Sequence, residues 1–367
     1  MKKTLFVIAF FALASILISS CGATTGSCGM VAPPSTEGDA PFIYNGAAYL
    51  AGEDGNFYAV DIVTGLEKWR HEALTDSFPP YYPASSNIVV YNSLVWFLGS
   101  DGKISGVDPD TGEKIKEIQT ETPVDNGKIT IAGGVIYFSV SGNFYAIDIE
   151  TEQPFVSTMF DYGFPLLSTG GSIYLSREGV GSITAFDETK LEKKWSNVLG
   201  ETLRDPMVVS GGSVFLRGDN TLFALDNSTG LEKWRFKAQS YISTPPAVSG
   251  AVAFFGARHS QSSAGYFYAV NVTDGSEKWK ISRGECTHAP ATAAASGNTA
   301  YYSIWNIYAH DAETGLKKWE FKPENVINSP LVISGDTIYF RARYAENGGY
   351  LYAVDAVTGE EKWRFKM

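Results

Sequence analysis

Charge is scarce in this chain, and basic charge most of all. Only 19% of its 367 residues are charged, and 29 Lys and Arg against 40 Asp and Glu leave a net charge of −11. A nucleic-acid binder needs a basic stripe to offset phosphate charge, so that class is excluded. Histidine and cysteine are rarer still. His71, His259, His288 and His310 lack the close spacing of a zinc site, and the three cysteines include no neighbouring pair to assist them. No metal set is read. The chain has neither a Gly-x-Ser-x-Gly elbow nor a phosphate loop, and no catalytic residue is assigned. Long apolar runs are also missing, apart from Leu5 to Leu17, which falls short of the roughly 20 residues of a spanning helix.

That run has a different reading. Lys2 and Lys3 precede it and small residues follow it, the pattern of a secretory signal over residues 1–20. Ile18-Ser19-Ser20-Cys21 resembles the bacterial lipobox, which implies a lipidated Cys21 and attachment to a membrane through the lipid. By the same resemblance, Gly22 favours the outer membrane, facing the periplasm, in a Gram-negative cell. Residues 21–40, rich in Gly, Ser, Thr and Pro, read as a flexible tether. Cys28 and Cys286 are left, and the sequence leaves open whether they pair.

What the chain has in quantity is aromatic residues (14%) and glycine (37), arranged with a period. A phrase of the form Ala-x-Asp-x-x-Thr-Gly-x-x-x-Trp recurs with its acidic position at Asp61, Asp108, Asp148, Asp187, Asp226, Asn271, Asp311 and Asp355. Subtraction gives spacings of 47, 40, 39, 39, 45, 40 and 44 residues. Such a period, with strand-like content, marks a radial or solenoid array whose units share one core. Each unit holds four short runs of β-branched and aromatic residues, enough for one propeller blade. The inner strands are expected at Pro41 to Tyr44, Asn87 to Val90, Lys128 to Ile131, Pro165 to Ser168, Pro206 to Val209, Pro246 to Val248, Pro290 to Thr292 and Pro330 to Ile333. The expected fold is all-β, an eight-bladed β-propeller of four-stranded antiparallel blades over residues 41–367.

Within the phrase, the Asp ends a third strand and accepts from the amides of the next turn, while the Gly takes the left-handed conformation that returns the chain. The Trp packs between blades and donates its indole N–H to a backbone acceptor. Asp61, Asp226, Asp311 and Asp355 are therefore read as turn residues, and Trp69, Trp195, Trp234, Trp279, Trp319 and Trp363 as docking residues. These residues resemble the tryptophan-docking repeats of the PQQ-like, or quinoprotein, β-propeller family. Ile115 or Lys116, and Val156, stand where Trp is missing, and Glu152 and Leu191 replace the turn Gly. The second to fourth units are thus the weakest matches.

In a four-stranded meander, the second-to-third turns and the links between blades share one face. On that face fall Arg177, Arg204, Arg217, Arg258, Arg283, Arg341 and Arg343, with His259, His288, Trp305 and Tyr344, and also the Phe78 to Tyr82 stretch. On an acidic protein this mouth suits a protein partner or a small anionic ligand. The alternative is that these arginines pair with Asp205, Asp219, Glu178 and Glu346. Size, single propeller and lipid signal resemble the BamB-like lipoproteins of the outer-membrane barrel-assembly machinery. That resemblance implies a noncatalytic scaffold without a cofactor. The other branch of the family implies a PQQ-dependent dehydrogenase that binds PQQ and calcium.

Overall fold

In the computed structural model, the described residues are 40–52, 56–72, 88–98, 103–120, 129–140, 143–158, 165–177, 181–258, 265–283, 292–344 and 348–367. Residues 1–39, where the signal, most of the tether, Cys21 and Cys28 are expected, lie outside them, as does Cys286. No helix among the described residues is long and apolar enough to cross a membrane.

The strands form eight antiparallel sheets, each following chain order from inner to outer strand. Blade 1 comprises Phe42–Tyr44, Ala47–Ala51, Asn56–Asp61 and Glu67–Glu72, and blade 8 ends the chain with Glu361–Lys366. In blades 6 and 8 the inner strand is interrupted, as Tyr241–Ile242 then Ala247–Ser249, and as Val326–Ile327 then Val332–Ser334. Proline explains both breaks, since Pro245, Pro246 and Pro330 cannot donate to a ladder. Thr244 and Ser329 cover the gaps: their hydroxyls accept from the amides of Gly256 and Arg341, each at 2.7 Å. The described inner strand of blade 7 is Thr292–Ser296, and Pro290 and Ala291 of the expected strand lie outside the described residues.

The core lies between blades. Each of eight apolar clusters joins one blade to the next, and one of them joins Tyr339 and Leu351 of blade 8 to Tyr58 and Val60 of blade 1. A repeated row of side chains builds these junctions. In blade 1, Tyr49, Ala59 and Trp69 are register partners on the second, third and outer strands, and the small Ala leaves room for the indole. Trp69 Nε1 donates to Pro109 O of blade 2 at 3.0 Å, and Tyr49 donates to the same carbonyl at 3.1 Å. Trp195, Trp234, Trp279 and Trp319 likewise donate to Asn227, Val272, Ala312 and Ala356 of the following blades. The ring closes in the same way, with Trp363 Nε1 donating to Ile62 O at 3.0 Å. Every described sheet consists of consecutive strands, so closure needs no exchanged strand.

Blade 3 departs from this rule. Lys116 is the register partner of Gly106, which places it rather than Ile115 in the docking position of blade 2. It meets Glu152 of blade 3 as an ion pair at 3.6 Å. The indole of blade 2 sits instead on the second strand, where the ring of Trp96 covers Gly106 and bonds Tyr91 O of its own blade. Val156 pairs with Ala146 in the docking position of blade 3. There Tyr137 reaches across, donating to Glu188 O at 2.6 Å.

Candidate functional site

The face that carries the first-to-second and third-to-fourth turns is occupied by the repeat itself. Oδ1 of Asp61 accepts from Val63 N, Thr64 N and the Thr64 hydroxyl, and Asp108, Asp148, Asp187, Asp226 and Asp311 accept in the same manner. Asp355 accepts from the amides of Val357 and Thr358. These bonds to the ionised form hold the carboxyls of this set below the usual range, with the Thr358 amide leading at Asp355, which falls to about 2. Where Asn271 replaces the acid, Asp274 supplies the acceptor by taking Ser276 N and Oγ. Lys194, Lys233, Lys318 and Lys362 tie the two turns of each blade by donating to Gly171, Gly212, Asn298 and Asp336 carbonyls. A carboxylate held ionised and engaged in this way is a turn clamp and a poor general base.

The opposite mouth carries the nonrepeating residues. Arg204 begins the inner strand of blade 5 and is the register partner of Arg217 at the end of the second strand. Arg217 is buried, 6% exposed, and its Nη1 donates to Ile242 O of blade 6 at 2.9 Å. Arg341 occupies the equivalent place in blade 8, two residues beyond the row aromatic, and is 4% exposed. These two arginines lie beneath the surface, and Arg217 joins two blades there. Arg343 is half-buried at the register of Val326 and Gly349. Trp305, in the second-to-third turn of blade 7, is 38% exposed.

One group of mouth residues meets. Tyr241 opens the inner strand of blade 6 opposite Arg258. The Arg204 guanidinium lies 5.3 Å from the Tyr241 ring centroid and that of Arg258 lies 6.0 Å from it, both within cation–π range. Arg204 Nε and Nη2 each stand 3.1 Å from Asp219 Oδ1, and Asp219 O accepts from Ile242 N at 2.8 Å. Among the described residues Arg258 makes no ion pair. Tyr241 was not singled out by the sequence, although its position in a link between blades assigns it to this face. Arg177, Arg283 and Tyr344 end strands on the same face, but their side chains are outside the described set. His259, His288, Phe78 to Tyr82, Glu178 and Glu346 fall outside it altogether. The other two histidines are in strands, where His310 bonds Gly315 O through Nδ1 at 2.9 Å and His71 stands edge-on to Phe97.

A calcium-bound quinone needs six to eight oxygen ligands on the ion and cationic partners for its carboxylates. The described inner strands are mostly apolar, with Ser, Thr, Tyr and Arg204 among them and Asp205 as their one acid in sequence. No group of three or more His, Cys, Asp or Glu that could hold a metal occurs among the described residues.

Eight blades, with docked indoles at six of their junctions, define a quinoprotein-type propeller with a loop-bearing mouth. The chain belongs to the family described as outer membrane protein assembly factor BamB, which matches residues 22–197, 179–304 and 305–367. It is 24% identical over 209 residues to the outer membrane protein assembly factor BamB of Nitrosomonas eutropha, which covers 57% of this chain and 40% of that protein. It is also 31% identical over 128 residues to the quinoprotein alcohol dehydrogenase PedH of Pseudomonas putida, 31% of this chain and 21% of that one. The chain thus matches well under two thirds of the length of these relatives. Among solved structures, BamB from Moraxella catarrhalis superposes with a TM-score of 0.59 at 13% identity, over 87% of this chain and 93% of that one. Quinohemoprotein alcohol dehydrogenase from Comamonas testosteroni gives a TM-score of 0.61 at 11% identity, over 89% and 73%. At such identities these two structures speak for the fold alone.

Proposed function

We propose that this protein is a noncatalytic, extracytoplasmic lipoprotein scaffold that serves outer-membrane protein assembly by docking a protein partner on its loop-bearing mouth. The observation that carries the reading is the family match, which runs from residue 22 to the last residue, 367. Cys21, lipidated, would hold the propeller to the outer membrane on the tether of residues 21–40, facing the periplasm of a Gram-negative cell. Affinity isolation of the lipidated full chain from its own membranes tests the role. Recovery of barrel-assembly components supports it, and their absence alongside normal outer-membrane protein levels in a deletion strain overturns it.

A second reading, a PQQ-dependent dehydrogenase, is favoured by the curated quinoprotein relatives, one of them 31% identical over its matched segment. Titrating the chain with PQQ and calcium while following absorbance and dye-linked alcohol oxidation separates the two. Saturable binding with turnover would replace the scaffold reading.

A further inference from the structure

We propose that Arg258 and Arg204, set about the ring of Tyr241 at the junction of blades 5 and 6, form the docking point for an acidic segment of a partner protein. The proposal rests on the scaffold reading and gives its partner a chemistry. Two guanidiniums approach one tyrosine, at 5.3 and 6.0 Å from the ring centroid, on a chain whose net charge is −11. Among the described residues a single ion pair meets this cluster, Arg204 with Asp219, in which both guanidinium nitrogens use the same carboxylate oxygen. Arg258 has no such partner among the described residues. The segment that follows it, residues 259–264, reads His-Ser-Gln-Ser-Ser-Ala and contains no acid. A guanidinium is a planar fork matched to a carboxylate, and a fork already held near an aromatic ring loses less entropy on binding.

Composition favours a protein as the occupant. Arg, Tyr and Trp are the residue types that dominate protein–protein hot spots, and the exposed Trp305 lies on the same face in the adjoining blade. A bilayer rich in anionic lipid is disfavoured, because the acidic chain as a whole is repelled from it. The best ligand therefore combines carboxylates with an apolar or aromatic side chain. Asp219 acts as an internal competitor, since it occupies the Arg204 fork that the ligand would use.

The test uses the full chain and a labelled dodecapeptide of alternating Asp and Glu with a central Phe, beside its Lys-for-acid counterpart. Binding is followed by anisotropy at fixed ionic strength. The acidic peptide is expected to bind, and Arg258→Ala to weaken it by at least about tenfold, as for a hot-spot residue. Asp219→Asn should tighten binding by freeing Arg204, a gain that misfolding cannot imitate. Equal affinity for the two peptides, or unchanged affinity in both Arg258→Ala and Arg204→Ala, would overturn the proposal. So would Arg258-dependent binding to phosphatidylglycerol vesicles in the absence of peptide binding, which would make lipid the occupant. Isolation of the partner by wild type and by Arg258→Ala separates this idea from the scaffold reading. A partner retained by both sinks the site and leaves the scaffold intact, whereas no partner even for wild type sinks the scaffold while the peptide data still judge the site.

Discussion

From blade 4 round to blade 1 each blade passes an indole to its neighbour, whereas blade 3 neither receives nor donates one. At the docked junctions, a Cβ added to the turn glycine would lie 2.3 Å from Trp195 at Gly230 and 2.7 Å from Trp319 at Gly359. In the two turns that face no Trp, the same position is Glu152 or Leu191, and both still take the left-handed conformation, with φ of 58° and 55°. The turn therefore tolerates a side chain at a cost of about 1–2 kcal/mol. What excludes one elsewhere is the ring above it. Glycine in this repeat follows from the tryptophan more than from the turn, and the loss of one has accompanied the loss of the other. The difference bears on function too, since the Arg204, Tyr241 and Arg258 cluster stands on a docked junction, and sites on rigid elements hold their geometry best.

The largest effect is expected where docking also closes the ring. Trp363→Ala removes the half-buried indole that joins blade 8 to Ile62 of blade 1, and should cost about 3 kcal/mol, the low end of the range for truncating a core aromatic. Urea unfolding measures it, and a loss below about 1 kcal/mol would mean that the closing cluster holds without the ring. Blade 3 offers the converse experiment. Its Tyr137 and Ala146 already form the row into which a tryptophan fits, and Glu188 O already accepts from Tyr137. Val156→Trp alone should destabilise by about 1–3 kcal/mol, because the Leu191 side chain stands where the indole must lie. Adding Leu191→Gly should recover the loss, with a coupling of about 1 kcal/mol or more in a double-mutant cycle. Additive effects would separate the glycine from the tryptophan.

The eightfold architecture was readable because turn chemistry repeats at nearly constant spacing, and that chemistry is local. The Asp, Thr and Gly of each phrase act within a few residues of one another. What the sequence left ambiguous involves register. The choice between Ile115 and Lys116 turned on a bulge that shifts the register between Gly106 and Val107, and a one-residue slip moves a side chain to the other face of a strand. Similar bulges recur at Ala59, Ala146, Ala185, Ala224, Ala269, Ala309 and Ala353. Parity placed the arginines on one face but not at one depth. Arg217 and Arg341 lie on the same side of their strands as Phe215 and Tyr339, two residues earlier, and these strands are buried on both faces, a depth that charge alone obscures. Tyr241 escaped notice because a single aromatic in a link carries no pattern, and its meaning depends on Arg204 and Arg258 arriving from two blades.

Smaller effects belong to the polar substitutes. The Lys116 and Glu152 pair is largely solvated, with side chains 27% and 51% exposed. Lys116→Ala should change stability by less than about 1 kcal/mol, the range of surface ion pairs. A loss comparable to that of Trp363→Ala would show instead that the pair acts as a true replacement for docking. Equilibrium unfolding in low and high salt measures this term, which should shrink as ionic strength rises.

The smallest effect concerns the turn carboxylates, and its sign follows from their hydrogen bonds. The folded pKa of Asp355 is lowered from 3.8 to about 2, led by the Thr358 amide, with Lys362 assisting from 3.1 Å. A depressed folded pKa means that the unfolded chain binds the proton first. The stabilisation is therefore complete above about pH 4 and is lost as the pH falls towards about 2. Asp355→Asn keeps an acceptor oxygen but removes the titration, so the variant should lose less stability than wild type over that interval. Asp355 is partly exposed, its side chain 24% accessible, and solvent screens its charge, so the difference should amount to a small shift in midpoint, read by thermal unfolding at pH 5 and at about pH 3. Because the same clamp recurs at Asp148 in blade 3, Asp148→Asn should give a shift of the same sign. An opposite sign in blade 3 would mean that its turn relies on Glu152 and Lys116 rather than on the clamp.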